Sequence, residues 1–99
     1  MFARIVRFEG GDPERVDEAV AALKERMTDG APPGVEGVKE FMMLVDREGG
    51  TGLGISVFET EDDLRRGDEA LNQMTPPVDI WEERVSVEMY EVAIRQSMI

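Results

Sequence analysis

Few residues in this chain can do chemistry, because it contains neither histidine nor cysteine. Histidine is the commonest general base and metal ligand, and the cysteine thiolate is the other main ligand of zinc. Acid–base chemistry therefore falls to Asp, Glu, Lys or Tyr. The acidic runs at 61–63 and 82–83 are typical of helix starts and solvated surface. We expect no metal, no haem and no other cofactor.

Arg4 is the most informative of the remaining residues. It alternates with Phe2 and Val6 along an apolar strand, where a buried guanidinium requires a partner. Glu88 and Tyr90 alternate in the same way near the other end of the chain, and we expect them to share a face with Arg4. This predicts an Arg4–Glu88 ion pair on the sheet face away from the helices. The pair either fills the interior, or belongs to a site in which Arg4 and Tyr90 orient an oxygenated aromatic ligand, with Glu88 tuning Arg4 or acting as a base.

Three further side chains complete the set of candidate ligand-binding residues. Ser56 shares one face of a predicted strand with Gly52 and Gly54, and such small residues leave room beside them. Phe58 ends the same strand. Trp81, the only tryptophan, either packs as a lid or interface residue or stacks on a ligand.

Hydrophobic periodicity predicts six elements within a single domain over residues 1–99. Strands are expected at 1–8, 38–46, 51–59 and 85–94, and helices from Pro13 to about Asp29 and from Thr60 to the prolines Pro76 and Pro77. Residues 78–84 are either an irregular connection or a short strand. The order β-α-β-β-α-β predicts an α+β fold of the ferredoxin-like type, a four-stranded antiparallel sheet with both helices on one face.

Local signals mark where the helices begin and how closely they pack. Asp12 is typical of a helix N-cap and Pro13 of the first helical position. Thr60 and Asp63 form a variant of the capping box. Gly67 lies within the apolar stripe of the second helix, where it costs about 1 kcal/mol against alanine. We interpret it as a close approach of that helix to the sheet.

Both faces of the predicted sheet are apolar, so the sheet needs a partner. We assign one set to the helix-covered face: Ala3, Ile5, Leu53, Ile55, Val57, Val87 and Met89. The opposite face then carries Phe2, Arg4, Val6, Phe8, Phe58, Tyr90, Val92 and Ile94, with one side of the second strand. Residues 78–84 would cover this second face only in part. A patch of this size is more than monomers usually expose, which predicts a homodimer with its two sheets face to face.

Charge limits the other partners. The chain carries 22 acidic and 11 basic residues, a formal charge of −11, which repels phosphate backbones. We therefore expect no nucleic acid partner. The N-terminal residues lack the apolar core of a signal peptide, and no apolar run reaches the roughly 20 residues of a membrane span. We expect no membrane association and a cytoplasmic location.

Two segments carry a resemblance to a known family. They are GISVFETEDDLRR at 54–66 and VEMYEVAI at 87–94. An apolar strand, an aromatic residue, a Glu, a Ser or Thr cap and an acidic helix start are common in that family, and residues 58–62 match this pattern, with Phe58 where Trp is more usual. The chain thus resembles the dimeric α+β barrels, in particular the antibiotic-biosynthesis-monooxygenase-like branch.

The resemblance implies a homodimer and a small apolar or aromatic ligand bound between the sheets. The family includes cofactor-independent oxygenases, haem-degrading enzymes and isomerases. Haem degradation does not fit, because that branch uses a His ligand and a Trp on the second helix, where this chain has Gly67. Two hypotheses stay open: a ligand-binding barrel with cofactor-independent oxygenation as its activity, and a non-catalytic dimerisation or ligand-sequestering module.

Overall fold

The structure is a computed structural model that describes residues 1–28, 30, 33–74 and 80–98. Its elements are β1 (Phe2–Glu9), α1 (Val16–Thr28), β2 (Val38–Asp46), β3 (Thr51–Phe58), α2 (Glu61–Asn72) and β4 (Glu83–Glu91). The four strands form one antiparallel sheet in the order β2-β3-β1-β4. This is the ferredoxin-like arrangement, so the predicted fold class is confirmed.

The two helix starts follow their sequence signals to different degrees. Thr60 caps α2 as predicted, and its hydroxyl accepts a hydrogen bond from the Asp63 backbone N–H at 3.1 Å. Asp12 instead caps a turn, in which its carboxylate accepts from the Glu14 N–H at 3.0 Å. The helix α1 begins only at Val16, after that turn. The start predicted at Pro13 was therefore too early.

The connection between α2 and β4 is irregular where it is described. The helix α2 ends at Asn72, with Gln73 as its C-cap, before the two prolines expected to terminate it. Those prolines and residues Val78 and Asp79 lie outside the described residues. Ile80 and Trp81 are in irregular backbone, and β4 begins at Glu83, ahead of the predicted residue 85.

Gly67 lets α2 approach the sheet closely, as predicted. Phe58 at the end of β3 is fully buried, and its ring lies directly under Gly67. A Cβ on Gly67 would lie only 2.6 Å from Phe58 Cε1, well inside van der Waals contact. The glycine thus allows a large aromatic ring to fit between the helix and the sheet.

The helices cover the face of the sheet opposite to the one that the sequence analysis assigned. Arg4 pairs with Asp68 on α2, and Phe58 packs under Gly67, so the face of Phe2, Arg4, Val6 and Phe8 is the helix-covered face. The outer face carries Ala3, Ile5, Leu53, Ile55 and Val57. The assignment was wrong because both sets are apolar: alternation groups residues by face but does not say which face meets the helices.

The register of β4 also differs from the predicted one. Glu88 lies opposite Ile5 and Tyr90 opposite Ala3, so both belong to the outer face. Val87 and Met89 lie on the helix-covered face instead. A shift of one residue moves every side chain of a strand to the other face, and pairing with β1 sets this register, which alternation within β4 does not reveal.

The outer face remains apolar and partly exposed. Met42 and Leu44 on β2 are 37% and 45% exposed. The chain after β4 turns back across one end of this face, where Arg95 Nη2 pairs with Glu40 Oε2 at 2.7 Å. Its Ile94 is 86% exposed. Neither described helix is long and apolar enough to cross a membrane.

Replacing Gly67 by Ala tests the close approach of α2. Alanine should gain about 1 kcal/mol of helix propensity, but overlap with Phe58 should cost about 1–3 kcal/mol, so we expect a net loss of stability. Gly54→Ala is the matched control, since a Cβ there meets only Met43 Cε at 3.9 Å. Urea denaturation midpoints of both variants and the natural protein measure the change in stability. A stabilised Gly67→Ala variant would show that α2 is not in close contact with Phe58.

Candidate functional site

A cavity of about 410 Å³ lies between the helices and the sheet. The strands contribute Arg4, Val6, Phe8, Phe41, Met43, Val45, Gly54, Ser56 and Arg84. The helix α1 contributes Val16, Ala19, Val20, Leu23, Arg26 and Met27, and the other described lining residues are Leu71, Met74, Ile80, Trp81 and Glu82. The volume falls in the range of sites for small molecules, and the lining is mostly apolar with a few charged groups.

The floor of the cavity is open because β3 presents small residues there. Gly54 and Ser56 face the helices between Val6 and Phe41 of the flanking strands. A Cβ on Gly54 would meet only Met43 Cε, at 3.9 Å, so the space above this glycine is unfilled. The room that the sequence analysis expected beside these small residues is therefore present.

Trp81 closes one end of the cavity. Its ring stacks on Phe8, with centroids 5.8 Å apart and planes at 21°. It also lies over Gly52, where a Cβ would be 2.6 Å from Trp81 Cζ2. Ile80 beside it packs with Val16 of α1 in the buried cluster. Trp81 therefore contributes to packing and to the cavity wall at once.

Arg4 is held by α2 and not by Glu88. Its Nε lies 2.8 Å from Asp68 Oδ1, and its Nη2 donates to Asn72 Oδ1 at 2.9 Å. Arg4 is only 4% exposed, so these two partners compensate for the loss of solvation of its charge. The predicted Arg4–Glu88 pair is wrong, because Glu88 lies on the opposite face of the sheet.

A second arginine shares the partner of Arg4. Arg84 Nη1 donates to Asn72 Oδ1 at 3.2 Å, so one amide oxygen accepts from two guanidinium groups. Arg84 reaches this position because the β1–β4 register shifts between Arg7 and Phe8, which places it opposite Phe8. Both arginines line the cavity.

Glu88 and Tyr90 form a separate pair on the outer face. A hydrogen bond from the Tyr90 hydroxyl to the Glu88 carboxylate, with the negative charge of that carboxylate, raises the pKa of Tyr90. Both side chains lie on the face of the sheet opposite to the cavity, so neither lines it. Phe58 also lies away from the cavity, because it is buried beneath Gly67.

Of the predicted site residues, the structure brings Arg4, Ser56 and Trp81 to the cavity. Sequence reasoning missed Asp68 and Asn72. The signal was present, since these two residues lie one helical turn apart beside the apolar stripe of α2. Nothing in the alternation of β4 revealed Arg84, because the register shift sets its position. Among the described residues, no three acidic side chains are grouped closely enough to hold a metal ion.

Solved structures share this fold. An assigned antibiotic biosynthesis monooxygenase from Chloroflexus aurantiacus superposes with a TM-score of 0.59 at 11% identity, covering 97% of this chain and 96% of that one. A Mycobacterium tuberculosis protein gives a TM-score of 0.58 at 16% identity, covering 97% and 98%. A further antibiotic biosynthesis monooxygenase gives 0.57 at 14%, covering 95% and 100%. No family model matches the chain, and no curated protein matches it in sequence.

These similarities are at the level of the fold. They span nearly the whole length of this chain and of each solved structure. The chain therefore has the fold of antibiotic-biosynthesis-monooxygenase-like proteins, which confirms the resemblance that its sequence indicated.

Removing one partner of the Arg4 pair should destabilise the protein. Arg4→Met leaves the partly buried Asp68 carboxylate without its cation, at a cost of about 2–4 kcal/mol. Adding Asp68→Asn should recover much of that loss, because no charge is then unpaired. Glu88→Gln is the matched control and should change stability by less than about 0.5 kcal/mol. Denaturation midpoints of the natural protein, the two single variants, the double variant and the control test this, and additive effects of Arg4→Met and Asp68→Asn would contradict the pairing.

Proposed function

We propose that the chain binds a small, largely apolar ligand in the cavity between α1 and the sheet. The unfilled space above Gly54 is the observation that carries the proposal, because it is bounded by apolar side chains from both layers. Native interiors are close-packed, so a space of about 410 Å³ is not ordinary packing. The site differs from the one expected between two sheets, since the arginine and the small strand residues face the helices.

Monooxygenation is the activity that the names of two structural neighbours suggest. Cofactor-independent oxygenation of a bound aromatic compound is the form of it that we propose for this chain. Among the residues that the structure describes, the lining contains a single carboxylate, Glu82, as a candidate base. Binding without chemistry is the alternative, and the scarcity of proton-transfer groups in the lining favours it. Oxygen uptake in the presence of a bound hydroxylated aromatic compound distinguishes the two, provided that the uptake is lost with Glu82→Gln.

Filling the cavity should abolish binding. Gly54→Leu extends a side chain into the open space from a position where a Cβ meets only Met43 Cε, at 3.9 Å, and leucine suits a strand better than glycine, so we expect no fall in the melting temperature. We expect the variant to bind N-phenyl-1-naphthylamine at least about tenfold more weakly, as measured by the emission of the dye. Glu69→Gln, at an exposed position of α2, is the control and should bind as the natural protein does. Equal binding by the Gly54→Leu variant would exclude the cavity as the site.

We also propose that a second copy of the chain covers the outer face. Met42 and Leu44 are exposed there beside Ile5, Leu53 and Ile55 of the neighbouring strands. A contiguous apolar patch of this kind is typical of an interface, and a two-fold pair of identical faces covers both copies at once. The exposed Ile94 after β4 lies in the segment that turns across this face and adds to the apolar surface.

Sedimentation equilibrium at micromolar concentration should give the mass of a dimer. We expect the dimer interface to bury more than about 1,200 Å² of total surface. Leu44→Glu places a charge in that interface and should shift the protein towards monomer. Because Leu44 is exposed in the single chain, the monomer should keep its far-UV circular dichroism. Glu14→Gln, on the exposed start of the turn before α1, is a control that should leave the dimer intact. A monomeric natural protein would contradict this proposal.

A further inference from the structure

We infer that the ligand of this cavity carries an anionic group with the chemistry of a carboxylate or a sulfonate. This group binds beside Asn72, where Arg84 and Arg4 meet. The inference rests on the proposed binding function and specifies the class of ligand. An apolar body would lie above Gly54, and the anionic group would lie at the arginine end. Three observations support it: the charge of the lining, the pairing of the two arginines, and the register shift in the sheet.

The charge of the cavity is opposite to that of the chain. Acidic residues outnumber basic ones by 22 to 11 over the whole sequence. Among the described residues, the charged side chains that line the cavity are Arg4, Arg26, Arg84 and Glu82, so basic residues predominate there. In a protein with a net charge of −11, this concentration of arginine along a mostly apolar cavity favours an anionic ligand over a neutral or cationic one.

Arg84 differs from Arg4 in the charge of its partner. Asp68 neutralises Arg4. Arg84 donates to the neutral amide oxygen of Asn72, and no carboxylate of a described residue lies within ion-pair distance of it. A guanidinium has five N–H donors, and only one of those on Arg84 is used by Asn72. The remaining fork suits the two oxygens of a carboxylate or sulfonate.

The backbone is shaped to bring Arg84 to this place. If β1 and β4 kept one register, Val85 would lie opposite Phe8, and Arg84 would lie on the outer face. The shift between Arg7 and Phe8 instead sets Arg84 opposite Phe8, on the cavity side. Such irregularities commonly redirect a side chain next to a functional site. Asn72 then orients the guanidinium at 3.2 Å, and Arg4, fixed by Asp68, holds Asn72 in turn.

A matched pair of dyes tests the inference. 8-Anilinonaphthalene-1-sulfonate and N-phenyl-1-naphthylamine share one aromatic body, and only the first carries an anion. Arg84→Gln should weaken binding of the sulfonate about tenfold and change binding of the neutral dye less than about twofold, since the variant removes a charge-assisted hydrogen bond. Arg84→Lys should retain part of the preference. Trp81, at the cavity wall, supplies an independent readout through the quenching of its emission.

Arg65→Gln is the charge-matched control, because Arg65 lies on α2 with an exposed side chain that pairs with Glu61. It should bind both dyes as the natural protein does. If Arg84→Gln and Arg65→Gln weaken binding of the sulfonate dye equally, the effect comes from the overall charge of the protein. That result would overturn the inference, although the cavity would still be a binding site. Equal weakening of both dyes by Arg84→Gln would overturn it as well. If neither dye binds the natural protein, the proposed binding function itself fails.

Discussion

The buried guanidinium of Arg4 is the interaction on which the rest of the structure depends. A charge that is 4% exposed on an apolar sheet face is tolerable only with close partners, and α2 provides both of them, Asp68 and Asn72. The requirement sets which side of the sheet α2 covers and the rotation of the helix about its axis. Gly67 sets the distance, because it admits the Phe58 ring beneath the helix. One helix is therefore held tightly against the sheet.

The cavity follows from the contrast between the two helices. The helix α1 is joined to the turn between β2 and β3, where Arg47 Nη2 lies 2.7 Å from Asp17 Oδ1, and its apolar stripe faces the sheet across the cavity. Ile80 and Trp81 pack at its N-terminal end, where the tryptophan lies over Gly52. Beneath the stripe, β3 contributes only Gly54 and Ser56. Because β3 has only small residues here, and Ile80 and Trp81 pack at one end of α1, a space remains that neither helix fills.

The sequence was sufficient to predict the helices and strands, but not which face of the sheet the helices cover. Periodicity and caps predicted the element order and the exact range of β2, and Gly67 indicated the close approach of α2. The two sheet faces are equally apolar, so hydrophobicity did not indicate which one the helices cover. The partner of Arg4 was missed for the same reason: Glu88 alternates correctly along its strand, but the pairing of β4 with β1 sets the face of Glu88. Long-range register is a property of two strands together.

We propose that the sheet serves two purposes, with a ligand cavity on the helix-covered face and an apolar outer face that a second copy covers. The most direct test of the cavity is a crystal structure of the protein with bound 8-anilinonaphthalene-1-sulfonate. The account predicts the aromatic rings above Gly54, between α1 and β3, with the sulfonate within hydrogen-bond distance of Arg84. Dye found only on the outer face, with α1 packed directly onto the sheet, would contradict it.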